Sequence, residues 1–116
     1  MEDLELNQQL MKEDLFTLFK TQLQKDFEVS GIPTDFIKEL PSNFGLLRTE
    51  LIVQLKPVLK NTYSSLSNLL YRVDISESQV KKYEQTNPEL NFEEQIAELI
   101  IKRILQKVIL KKRFSN

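Results

Sequence analysis

The chain has no cysteine, histidine or tryptophan among its 116 residues, and only two glycines. Without cysteine there is neither a disulfide framework nor a thiolate to act as nucleophile or ligand. Without histidine a serine nucleophile loses its usual base, and the Glu-x-x-His pattern of metal-binding helical bundles cannot be formed. So few glycines leave no G-x-x-x-x-G-K or G-x-G-x-x-G with which backbone amides could cradle a phosphate. No apolar run approaches the roughly eighteen residues of a spanning helix. The acidic start MEDLELNQQL also lacks the apolar core of a secretory signal. A cytoplasmic location is therefore expected. Sustained period-two alternation is absent too, so no convincing strand is expected.

An apolar share of 41% and a charged share of 28% are ordinary for a globular protein, and the length suits one domain over residues 1–116. A net charge of −1 creates no global field for nucleic acid or anionic membrane. The charge is uneven, however. Residues 1–40 carry nine acids against four bases, and residues 100–116 carry six bases and no acid. Neutralisation of one end by the other is the plainest consequence.

The segment from Asn91 to Arg113 has the clearest helical signature. Asn91 and Glu94 have capping-box spacing, acids open the segment, and Lys111, Lys112 and Arg113 close it, as the helix macrodipole favours. At 100° per residue, Ile96, Leu99, Ile100, Ile104 and Val108 share a face that Ala97, Ile101 and Leu105 widen. Gln95, Glu98, Lys102 and Gln106 form the expected wet side, and Arg103 and Lys107 should bury their stems and extend their charges. So wide an apolar arc needs neighbours from the same chain or from a second copy.

Upstream, residues 1–9 either fray or begin the first helix. Met11, Leu15, Leu18, Phe19, Leu23 and Phe27 then define an amphipathic helix that Gly31 and Pro33 stop. Thr34–Leu40 reads as a short helix capped by Thr34 or Asp35, with Phe36, Ile37 and Leu40 facing in. A third helix opens at Phe44 with Leu47, Leu51 and Leu55, and Pro57 should kink or end it near Lys56. Val58, Leu66, Leu69, Leu70 and Val73 lead to Arg72, and Ser76 with Gln79 caps a brief helix through Tyr83. The expected fold is all-α: a compact bundle of five to six helices around a long, central C-terminal helix.

No constellation builds a catalytic, cofactor-binding or metal site. Glu94 and Glu98 are one turn apart but lack histidine partners and fall near the wet side. Ser64, Ser65 and Ser67 have no lysine at a useful spacing and read as helix-surface residues. Tyr71, Arg72 and Asp74 crowd a helix end, where a structural junction outweighs a ligand site. Lys102, Arg103, Lys107, Lys111, Lys112 and Arg113 form the candidate interaction surface. They scatter around the helix with only Phe114 to stack, which disfavours nucleic acid, and the helix needs its apolar face for a core rather than a membrane. A helix-turn-helix over Ser76–Leu105 would point Glu93 and Glu94 at phosphates.

Leu69–Glu77, L-L-Y-R-V-D-I-S-E, followed by Ile96–Arg103, I-A-E-L-I-I-K-R, resembles small all-helical bacterial proteins of unassigned function. The resemblance implies no activity, cofactor or site residue. The functional expectation is a non-enzymatic cytoplasmic interaction or adaptor module that self-associates beside the last helix. The alternative is a weak nucleic-acid or acidic-surface binder through the basic helix end. No cofactor or small-molecule ligand is indicated.

Overall fold

The computed structural model describes residues 3–61 and 63–114, with side chains described for 5–60 and 66–114. Six α-helices and one 3-10 turn follow in order: α1 Asp3–Leu10, α2 Glu13–Val29, η1 Asp35–Glu39, α3 Phe44–Asn61, α4 Tyr63–Val73, α5 Glu77–Thr86 and α6 Phe92–Phe114. The fold is an all-α bundle with α6 at its centre, packed against α2, α3, α4 and α5. At 1.5 Å per residue α6 is roughly 34 Å long, close to the 39 Å long dimension of the molecule.

The ends of α6 follow local rules. Glu94 N–H donates to Asn91 Oδ1 at 2.8 Å and Asn91 N–H donates to Glu94 Oε1 at 2.9 Å, the reciprocal pair that satisfies two otherwise orphaned amides. Its apolar girth is covered by the chain itself: Ile96, Ala97, Ile100, Ile101, Ile104, Leu105 and Val108 are all buried. Fully burying an aliphatic side chain of this size contributes about 1.5–3 kcal/mol, so this helix anchors the core. The surplus that pointed to a second copy is thus met within one chain.

Several local expectations need correction. Residues 3–10 form their own helix, with Leu6 and Leu10 in the core, and Asn7 Oδ1 accepts from the Phe44 amide at 2.8 Å to hold the start of α3. A turn at Met11–Lys12 separates α1 from α2. Met11 therefore leaves the apolar stripe and is exposed, as is Leu18 at the stripe's edge. The α2 core face is instead Leu15, Phe19, Leu23, Asp26 and Phe27. At its end Gly31 adopts φ +74°, Gly31 N–H donates to Glu28 O and Ile32 N–H donates to Phe27 O. That double bond pattern with a left-handed residue is a Schellman stop.

The Thr34–Leu40 segment is a 3-10 turn rather than an α-helix, and Thr34 makes no side-chain cap bond. Ile37 and Leu40 still face inward. Pro57 does not end α3, which continues to Asn61. Pro57 and Val53 both lie on the exposed side, where water can take the carbonyl that the missing amide releases. Ser67 is exposed, while the side chains of Ser64 and Ser65 lie outside the described residues. The helix opened by Ser76 and Gln79 carries both capping-box bonds and runs on to Thr86. Among the described residues no helix is long and apolar enough to cross a membrane.

Candidate interaction surface

The junction between α4 and α5 is built from an unusual helix stop. Asp74 adopts φ +71°, Asp74 N–H donates to Tyr71 O and Ile75 N–H donates to Leu70 O. This repeats the Schellman pattern of α2, with aspartate where glycine is usual. Aspartate tolerates the left-handed region better than most side chains. Here Arg103 also fixes it, donating through Nη2 to Asp74 Oδ2 at 2.7 Å and through Nε to the Asp74 carbonyl at 3.3 Å. Ile75 is thereby buried against the core. Arg72 reaches neither its own last turn nor Asp74 with its guanidinium; its Nε lies 3.7 Å from Asp26 Oδ1. Its carbonyl accepts from Lys107 Nζ at 3.3 Å. Tyr71 is 86% exposed.

Among the described residues two carboxylates are buried inside the bundle: helical spacing puts Asp26 on the Leu15–Phe19–Leu23 face without showing its partners, and it puts Glu98 on the wet side. Asp26, 1% exposed, accepts from Gln22 Nε2 at 3.1 Å. Its other oxygen lacks a hydrogen bond but lies 3.6 Å from Lys107 Nζ. With Arg72 on the same carboxylate, the charge ties α2, α4 and α6 together. Glu98, expected on the wet side of α6, is 6% exposed. Arg48 Nη1 donates to its Oε2 at 2.6 Å, Tyr83 Oη–H donates to its Oε1, and Lys102 Nζ donates to Tyr83 Oη at 2.8 Å. α3 and α5 close over that side of α6 and bring those partners. Gln95, also expected to be wet, is buried and donates to the carbonyls of Asn87 and Leu90, fixing the α5–α6 connection. Both carboxylates are held by cations and donors from other helices, which makes them ties across the bundle. Glu94 is likewise engaged, as half of the α6 capping box.

Most of the sequence-derived basic surface is engaged by groups of the same chain, although none of its six cations is buried. Besides Lys102, Arg103 and Lys107, Lys111 Nζ donates to Gln22 Oε1 at 2.9 Å and Lys112 pairs with Asp14. These contacts run α2 antiparallel to α6 and show how the acidic early helix and the basic late one neutralise each other. Arg113 and Phe114 are exposed.

The surface feature that sequence reading missed is a groove of about 480 Å³ between α4, α5 and the first residue of α6. Leu66, Leu70, Ile75 and Val80 form its apolar lining, Tyr71 and Phe92 its aromatic walls, and Glu77, Lys81 and Glu84 part of its rim. Phe92 is 44% exposed. Only Val80 marks α5 as groove-forming among its exposed polar residues, and α4 and α5 must meet before the hollow exists. The one signal available was an aromatic directly after the Asn91 cap. No family model matches the chain, and neither a curated protein nor a solved structure matches it.

Proposed function

We propose that the chain is a non-enzymatic interaction module, an adaptor whose contact site is the α4–α5–Phe92 groove. The observation that carries this reading is the pair of large aromatics, Tyr71 and Phe92, standing exposed beside an apolar hollow. Aromatic anchors around a desolvated pocket are the usual energetic centre of a protein interface, and exposed apolar patches on soluble domains mark such sites. The fitting occupant is an amphipathic helix that lays an apolar face into the groove and carries basic flanks to meet Glu77 and Glu84. Burial of the α6 girth removes the first argument for self-association and moves the question to this groove.

The second reading, binding of nucleic acid or another acidic surface through the basic end of α6, has less support. Arg103, Lys107 and Lys112 already pair with Asp74, Asp26 and Asp14, and Lys102 and Lys111 are bonded to Tyr83 and Gln22, which leaves less charge to exchange for phosphate counterions.

Titration of the ¹⁵N-labelled chain with an amphipathic Leu/Lys helical peptide tests the groove directly. Shifts should concentrate at Leu66, Leu70, Tyr71, Val80 and Phe92, and Val80→Lys should abolish them while leaving the helical spectrum intact. Shifts spread evenly over the surface, or none at all, would remove the groove as a site.

A further inference from the structure

We infer that the groove's occupant is the far end of α6 from a second copy of this chain, exchanged reciprocally in a closed two-fold dimer. This rests on the groove being an interaction site and names its partner.

The far end of α6 presents an apolar knob: Phe114 is 79% and Leu110 41% exposed, beside the exposed bases Lys111 and Arg113. At 3.6 residues per turn Leu110 lies on the same meridian of α6 as Phe92, and Phe114 about 40° round from it. Knob and groove wall thus sit on one side of the same rod, roughly 33 Å apart along its axis. The groove end is acidic, with Glu77, Glu84, Glu89, Glu93 and Glu94 against Lys60, Lys81 and Lys82, whereas at the far end Asp14 offsets Lys112 and leaves Lys111 and Arg113 as the basic surplus. A head-to-head meeting of two copies opposes like charges; an antiparallel meeting opposes unlike ones.

A two-fold axis across the middle of α6 lays each Phe114 over the other copy's Phe92. The residue midway is Arg103, which would face its own symmetry mate. Asp74, at 2.7 Å, already offsets that charge in each copy, so the axis carries two ion pairs rather than two bare cations. Because each copy supplies one knob and one groove, both contacts are satisfied in a pair. The interface is isologous and closed, where a one-way contact of knob into groove would grow into a filament.

Charge reversal on the full chain tests the pairing without disturbing the core. The groove variant carries Glu77→Lys and Glu84→Lys; the knob variant carries Lys111→Glu and Arg113→Glu. In sedimentation at low salt the parent chain should form dimers and nothing larger. Each variant alone should dimerise roughly tenfold or more weakly, since like charges then meet. An equimolar mixture should recover dimers at about the parent affinity, because basic groove meets acidic knob and acidic groove meets basic knob. Phe114→Lys should weaken the parent dimer on its own, with circular dichroism checking that the helices persist.

A parent chain that stays monomeric to about 100 µM, a range that still detects weak pairs, overturns the inference. So does dimerisation indifferent to the reversals, a mixture that does not recover, or open-ended growth with concentration. In each case the Leu/Lys peptide titration reads the groove independently. Peptide shifts without dimers would sink the second copy as occupant and leave the interaction site standing.

Discussion

At the scale of single residues, the molecule is held by buried polar groups that have found partners far away in the chain. Glu98 shows why the partners matter more than the charge. A buried carboxylate costs several kcal/mol to desolvate, and Arg48 and Tyr83 offset that cost only while both are in place. Glu98→Ala should therefore destabilise the fold by about 2–3 kcal/mol, since Tyr83 loses its acceptor and keeps Lys102, while the partly exposed Arg48 turns to water. Tyr83→Phe, which keeps the Arg48 pair, should cost only about 1–2 kcal/mol. Urea unfolding followed by circular dichroism reads both, and equal losses would show that the Arg48 pair contributes nothing. Asp26 lies in a similar setting but with looser geometry, its two cations at 3.6 and 3.7 Å. The Asp74 turn adds a conformational cost that the Arg103 contacts help to meet.

At the scale of elements, caps and stops set the helix limits. Asn91 with Glu94, and Ser76 with Gln79, satisfy the first amides of α6 and α5, and the left-handed residues Gly31 and Asp74 end α2 and α4. These devices are read from three or four neighbouring residues, which is why Asn91, Ser76 and Gly31 were legible in the sequence. Pro57 carries the local expectation of a kink or an end, and packing on both sides of it sustains the helix. Leu55 is buried before it and Val58 packs on the core after it. Proline in a helix interior is about 3 kcal/mol worse than alanine, and its stiffening of the unfolded chain returns up to about 1 kcal/mol. Pro57→Ala should accordingly raise stability by about 2 kcal/mol, read as a higher urea midpoint at unchanged slope. A lower midpoint would mean that the proline's fixed backbone geometry is needed to pack α3 on α6.

At the scale of the whole molecule, the described helices share one hydrophobic cluster that runs from Leu6 to Val108. A single core predicts a single transition. Helix content by far-ultraviolet circular dichroism and tertiary packing by tyrosine emission should report coincident urea midpoints. Separated midpoints would mean that part of the bundle, with α1 the candidate because it packs chiefly on α2 and α3, unfolds on its own. The same scale governs the proposed dimer: with opposite charges gathered at the two ends of α6, its affinity should fall as salt screens them.

What the amino-acid order determined by itself is the local part: five to six helical stretches, some of their boundaries, and an apolar α6 that had to be covered by neighbours. Helical period, capping and turn chemistry act over a few residues, so they can be read without the fold. Only the tertiary structure decided which polar side chains of α6 would be buried, that its wide apolar arc would be covered by its own chain, and where a groove would open. Each of those outcomes depends on groups that are distant in sequence. Glu98 is wet or buried according to whether Arg48, fifty residues away, comes to meet it, and helical spacing carries no record of that meeting.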